Sequence, residues 1–508
     1  MGTQLISQES ISWQKLAPFL DGPIPVRLSP GAKKSIRESN KVLKQILKTE
    51  RKVYGVNTGF GKLGNVSISV KDLKQLQLNL VRSHSCGIGK PLDLGVTRLM
   101  LVLKLMTYAK GYSGVRPKVA QLLVDMLNHD ILPIIPRKGS VGASGDLAPL
   151  AHMARGMIGE GDVHYQDRIV PAMIALKESN LNPIVLEAKE GLSLVNGTQV
   201  SVALGIRALA ESYIILKTAD ITGALTTEAS LSTRAVFNPK IHRLKKHKGQ
   251  VQSATNVYQM LIDSEIVKSH EDCGNIQDPY SIRCIPHVHG SSREIYINAE
   301  KIIDNELNSV SDNPLIFPNG EVMNSGHFHA EPVAQALDTL SIAMSEIGAI
   351  AERRINYFMK GIGDRIPMFA AVNPGLESGF MLAQVAAASL ASENKTMAHP
   401  ASVDSISTSA GQEDFVSMAP WAGRKCLRIV NNVRAILAIE LLIAANVNYR
   451  FHKKMSSGKG LAPVMNLLKR HHMLRIDDRP LADDIESIND LIQSGEIVKI
   501  VSRNINVL

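Results

Sequence analysis

CLRIVNNVRAILAIELLIAANV, residues 426–447, decides the fold class of this 508-residue chain. Ile429, Val433, Ile436 and Ile443 recur at helical spacing and form one apolar face. The most apolar part, AILAIELLIAA (435–445), is too short to span a membrane and is interrupted by Glu440. It reads as a buried helix. Residues 200–231, 332–359 and 379–393 share the same alanine-rich texture. Helices of this length pack side by side as a bundle.

Moving outward, the first 200 residues are irregular in period and rich in turns. Ser29-Pro30 signals the start of an amphipathic helix carrying Ile36, Val42, Leu43, Ile46 and Leu47. Residues 73–80 and 99–109 read as helices as well. Beyond the bundle, HKKMSSGKG (452–460) reads as a charged linker to a polar helical tail at 475–491. The expected fold is mainly α. A mixed N-terminal region (1–200) precedes a long-helix bundle with its tail (201–508), and the two form one unit.

Composition narrows the partners. The chain is 44% hydrophobic and 20% charged, as in an ordinary soluble protein, with only 4% aromatic residues. Fifty-seven Lys and Arg against 47 Asp and Glu leave a net charge of +10. These charges are dispersed, apart from HRLKKHKGQ (242–250), and no nucleic-acid-reading motif accompanies that cluster. A solvated loop, or a field attracting an anionic small substrate, is the expected meaning, with neither nucleic acid nor membrane as partner. Cys86, Cys273, Cys284 and Cys426 show no CxxC spacing, which points to reduced thiols and the cytoplasm. The opening MGTQLISQES has no basic region followed by an apolar stretch, so no signal peptide is expected. His287-Val288-His289 and His327-Phe328-His329 have ligand-like spacing, but no partner lies at ligand distance in sequence, and no metal is expected.

The chemistry gathers around GSVGASGDLAPLAHMA (139–154). At a tight Ala143-Ser144-Gly145 turn, the Gly145 amide nitrogen can attack the Ala143 carbonyl. Loss of two waters leaves a five-membered ring, with the Ser144 side chain as an exocyclic methylidene. Glycine suits the attacking position because it lacks a Cβ. Asp146 is expected to cap a helix starting at Leu147, with Pro149 in its first turn. The positive helix end then faces a ring that must accept electrons. Taken alone, the same residues read equally as a loop leading into a helix, or as an anion site.

With YGVNTGFG (54–61), this run resembles the aromatic amino acid ammonia-lyase and aminomutase family. The resemblance extends through RSHSCGIG (82–89), EGLSLVNGTQ (190–199), QDPYSIRCIPHVHG (277–290), SDNPL (311–315), FHAEPVA (328–334), ENKTMAHPASVDS (393–405) and STSAGQEDFVSMAP (407–420). It implies a fumarase/ammonia-lyase-like fold, a homotetramer with shared active sites, and an amino acid substrate. It also implies a methylidene-imidazolone (MIO) electrophile formed from Ala143, Ser144 and Gly145, with no external cofactor.

By motif position, the resemblance implies that Tyr54 is the proton-abstracting base or its close partner. Tyr280 joins it in proton transfer. Gln277 and Arg283 bind the substrate carboxylate, for which a planar guanidinium is well shaped. Asn196 contacts the MIO oxygen or the substrate amine, and Phe328 and Met397 line the pocket. His84 and Glu413 together can hydrogen-bond both nitrogens of an imidazole. Glu413 stands where the phenylalanine and tyrosine branches usually carry glutamine. The implied reaction is therefore deamination of L-histidine to trans-urocanate and ammonia. Deamination of tyrosine or phenylalanine, or an aminomutase reaction, is the alternative within the family. A non-catalytic helical scaffold is the alternative outside it. Gly411 and Phe415 stand where the histidine branch usually has asparagine and histidine.

Overall fold

Every long stretch read as helical is helical in the computed structural model, which describes residues 2–49, 51–271 and 276–508. Cys273 lies outside these residues. The observed helices are Gln199–Ala229, Glu331–Met359, Met381–Met397 and Ala419–Phe451, joined by Ile285–Leu307. Ser29 caps Pro30–Ile46 by accepting a hydrogen bond from the Ala32 amide, as its position predicts.

Two compact units interleave along the chain. The first comprises residues 1–207, 300–338 and 400–424, and the second comprises 208–299, 339–399 and 425–508. The segments 300–338 and 400–424 thus join the N-terminal region, instead of a single cut falling near residue 200.

In the first unit, helix Leu94–Ala109 is buried at every position after Leu94. It packs against Pro117–Asn128, while Leu147–Met157 packs against Leu73–His84 and Glu190–Val195. Among the described residues, four small sheets lie in the segments between these helices. The parallel pair Gln4–Ile6 and Val26–Leu28 is one, and the antiparallel pair Ile88–Pro91 and Pro136–Lys138 is another.

In the second unit, Ile429, Val433, Ile436 and Ile443 are all fully buried. Gly348 lets the helix Glu331–Met359 approach closely, since a Cβ there would lie 3.1 Å from Val433 Cγ2. Glu440, the interruption in the apolar run, forms a fully buried ion pair with Arg354 and accepts a 2.7 Å hydrogen bond from the Thr226 hydroxyl. Among the described residues, one helix, Gln199–Ala229, is long and apolar enough by length and composition to cross a membrane, and 72% of its most apolar window is buried within the protein.

The stretch 452–460 is not a free linker. His452 Nε2 lies 3.0 Å from the Ala229 carbonyl, and the Gly458 amide donates to Glu228 at 2.7 Å. The tail does form a helix, Ala482–Gln493, burying Ile488 and Ile492. Among the described residues, Cys86 is exposed, Cys284 half-buried and Cys426 buried, with no disulfide between them.

Candidate active site

Ala143-Ser144-Gly145 lies in a turn that only glycine can complete. Gly145 has φ +78°, and a Cβ there would sit 2.2 Å from the Gly197 carbonyl oxygen. The backbone is fastened on both sides of the tripeptide. The Asp146 amide donates to Gly197 O at 2.8 Å, and the Met418 amide donates to Val141 O at 2.8 Å. Ser417 Oγ donates to Gly142 O at 2.8 Å. Ala143 is buried, whereas Ser144 is half-buried and faces a cavity.

Asp146 occupies the N-cap position of Leu147–Met157 but makes no side-chain cap there. Its carboxylate instead accepts from the Ser201 amide and hydroxyl, both at 2.8 Å, in the first turn of Gln199–Ala229. The expected local cap is thus a long-range one. Complete burial pushes the Asp146 pKa up to about 6, although the Ser201 bonds pull it down.

The cavity beside Ser144 is about 370 Å³ and is lined by Tyr54, Ala143, Ser144, Asn196, Phe328 and Glu413, among others. An adjoining cavity of about 620 Å³ shares Tyr54, Ser144, Asn196 and Glu413 and adds His84. Seven of the residues expected from sequence therefore meet around one space, with Gly145 directly behind.

Glu413 is the hub. Its Oε1 accepts a 2.6 Å hydrogen bond from Ser144 Oγ, while Thr408 and Ser409 hydroxyls hold Oε2, both at 2.9 Å. The loop before it runs through consecutive positive φ values at Ser409, Ala410 and Gly411 (52°, 56° and 77°). This accounts for Gly411: glycine and asparagine both tolerate the left-handed region, so one can replace the other.

Tyr54 is placed by its own glycine loop. Its hydroxyl accepts from the Gly61 amide at 2.9 Å, which leaves the phenolic proton for the cavity. A Cβ on Gly55 would lie 2.2 Å from Leu192 Cδ2, so this loop too requires glycine. Burial lowers the His84 pKa, partly offset by the Leu80 backbone and the charge of Glu413. The imidazole is therefore neutral at pH 7. Phe415 lines the cavity and stacks on His329, with ring centroids 6.1 Å apart and planes 20° from parallel.

Tyr280, Arg283, Gln277 and Met397 lie in the second unit and line neither cavity. Tyr280 and Arg283 do share the short helix Tyr280–Arg283, with the guanidinium 4.9 Å from the ring centroid. Tyr280 is 73% exposed, and Gln277 is exposed as well. Arg283 Nε is buried with no hydrogen-bond partner among the described residues. Met397 is buried at the end of Met381–Met397. The histidine pairs have other neighbours: His289 Nδ1 lies 2.8 Å from Asp220, and His327 Nδ1 lies 2.8 Å from Ser325 Oγ.

Sequence reasoning missed the support beneath Asn196. Lys104, in the midst of an apolar helix, donates to the carbonyls of Ser193 and Asn196. Lys189 pairs with Asp312 at 3.1 Å, both fully buried. The signal was a lone lysine in LVLKLM (101–106), which is where a buried charge announces itself.

The arrangement resembles known proteins throughout its length. An aromatic amino acid lyase family model matches residues 11–470. The chain is 42% identical over 498 residues to a histidine ammonia-lyase of Myxococcus xanthus, covering 98% of each protein. The crystal structure of histidine ammonia-lyase from Trypanosoma cruzi superposes with a TM-score of 0.91 at 38% identity, covering 99% of this chain and 96% of that one. Tyrosine aminomutase from Streptomyces globisporus superposes with a TM-score of 0.92 at 31% identity, covering all of both chains. The chain belongs to the aromatic amino acid lyase family.

Proposed function

We propose that the protein is a histidine ammonia-lyase that converts L-histidine to trans-urocanate and ammonia in the cytoplasm. The observation that carries this reading is the meeting of Ser144, Glu413, Tyr54, Asn196 and His84 around one space.

Eliminating ammonia from an α-amino acid needs an electrophile, because the β-proton is too weakly acidic for a general base alone. The tripeptide fits an MIO group: Gly145 sits where no Cβ is tolerated, and Ser144 Oγ faces the cavity. Once formed, that group supplies an electron sink for the substrate.

The remaining work falls to the side chains. Tyr54, after giving up its phenolic proton and with its oxygen held by the Gly61 amide, takes the β-proton as the phenolate. Neutral His84 and the Glu413 carboxylate hold the two imidazole nitrogens of the substrate, a pairing that a phenyl ring cannot satisfy. Asn196 presents its amide from a buried wall. Phe328 closes the apolar side. Arg283, whose Nε has no partner among the described residues, captures the substrate carboxylate together with Gln277, and Tyr280 joins the proton transfer. These three come from a neighbouring subunit of a homotetramer, which suits the exposure of Tyr280 and Gln277. Met397 packs behind the substrate there.

The test is purified protein with a panel of L-histidine, L-phenylalanine and L-tyrosine, followed by ultraviolet absorbance and product identification. Urocanate from histidine is expected. Cinnamate or coumarate without urocanate would reassign the substrate. A β-amino acid product would make the protein an aminomutase.

A further inference from the structure

Lys104 lies in the helix Leu94–Ala109 with no solvent exposure. Its ammonium donates to Ser193 O at 3.1 Å and to Asn196 O at 2.5 Å. Asn196 Nδ2 in turn donates to Asn313 O at 2.8 Å. The Asn313 amide donates to Asp312 Oδ1 at 2.7 Å. Asp312 Oδ2 accepts from Lys189 Nζ at 3.1 Å, and Lys189 also donates to Ser193 Oγ at 2.7 Å. The circuit closes at Ser193, where it began.

Six buried residues thus form one hydrogen-bonded ring, in which two ammonium groups face a single carboxylate. Asn196 and Asn313 also line the active-site cavity, so one side of the ring is core and the other is site. Burial lowers the Lys104 pKa to about 7, with Asp312 raising it and Lys189 lowering it further. Lys189 also holds φ +69°, a strained conformation for a side chain with a Cβ. A methionine would fill the same core space without the cost of desolvating a charge. Packing alone therefore does not account for a lysine here.

We propose that Lys104 is a positioning residue for the reaction. By holding the Ser193 and Asn196 carbonyls, it fixes the Asn196 amide at the cavity wall and sets how the substrate amine meets the Ser144 turn. The inference rests on the cavity being an ammonia-lyase site.

The test compares Lys104→Met, which removes both donors at similar volume, with Lys104→Gln, which keeps a donor. Steady-state kinetics on L-histidine and the intact mass are measured for each, beside the unaltered chain. Misplacement of this kind costs about 10- to 100-fold in rate. Lys104→Met is expected to lose kcat by that factor, with KM changed by less than about threefold and the mass still short of two waters. Lys104→Gln is expected to fall between Lys104→Met and the unaltered chain. Should Lys104→Met not fold, Lys104→Gln decides alone. A native kcat in whichever variant folds, or a loss confined to KM, overturns the proposal. An unaltered chain that deaminates no amino acid would instead overturn the lyase reading itself.

Discussion

Both units bury charge, but they treat it differently. In the helical unit Glu440 meets Arg354 in a fully buried pair, and Asp220 meets both Arg293 and His289. Around the cavity of the first unit, Lys104 and Lys189 share Asp312, and the Ser201 hydroxyl bonds the Asp146 carboxylate. The two carboxyls respond in opposite directions. Burial favours the neutral form of each, yet the charge of Arg293 and the contact with His289 hold Asp220 below its ordinary value. At Asp146 the bonds from Ser201 and Val200 and the charge of Lys104 offset burial only in part, and its pKa rises to about 6. Closely paired charge holds the helices together, and only partly offset charge borders the cavity.

The largest expected effect breaks the site without touching the helical unit. Ser144→Ala removes the atom from which the electrophile is made. It should lower turnover by at least about a thousandfold while circular dichroism and the melting transition stay native. Substantial residual turnover would contradict the assignment.

Glu440→Met is the converse. It strands Arg354 in the core at a cost of about 3–5 kcal/mol, read as a lower denaturation midpoint. The protein that remains folded should keep its kcat. A native midpoint would show that this pair is not structural.

A smaller effect lies within the site. Glu413→Gln should weaken turnover of histidine at least about tenfold more than that of phenylalanine, because only the imidazole loses a partner. Equal losses on both substrates would remove Glu413 from substrate selection.

The smallest effect compares the two carboxyls directly. The folded pKa of Asp146 is raised, so its contribution to stability is fully present below about 3.9 and is lost as pH rises through about 6. The folded pKa of Asp220 is depressed, so its contribution is present above about 3.9 and is lost at lower pH. Denaturation midpoints of Asp146→Asn and Asp220→Asn, measured from about pH 2.5 to 8 against the unaltered chain, should diverge with opposite slopes in separate windows, the Asp146 difference between about 3.9 and 6 and the Asp220 difference below about 3.9. Parallel slopes would erase the contrast.

The helical fold was legible because its period repeats over many residues, so that single exceptions such as Glu440 do not hide it. Tyr54, Asn196, Ser144 and Glu413 stand out as candidates because each sits in a glycine-bearing motif that resembles the family's. The ring through Lys104, Asn313 and Lys189 was not legible, since its bonds join residues up to 123 apart. Sequence spacing carries no trace of such closure. Asp146 shows the same limit: its position suggests a cap on the next helix, whereas its carboxylate serves a helix 55 residues further on. The stretch 452–460 was misjudged from its charges, because its anchors are backbone groups and His452, which composition does not register.

Intact-mass measurement of the purified, full-length chain tests the central claim most directly. If Ala143-Ser144-Gly145 builds its own electrophile, the mature protein is lighter than its encoded sequence by two waters, and Ser144→Ala lacks that deficit. A full encoded mass in protein that turns over substrate would contradict it.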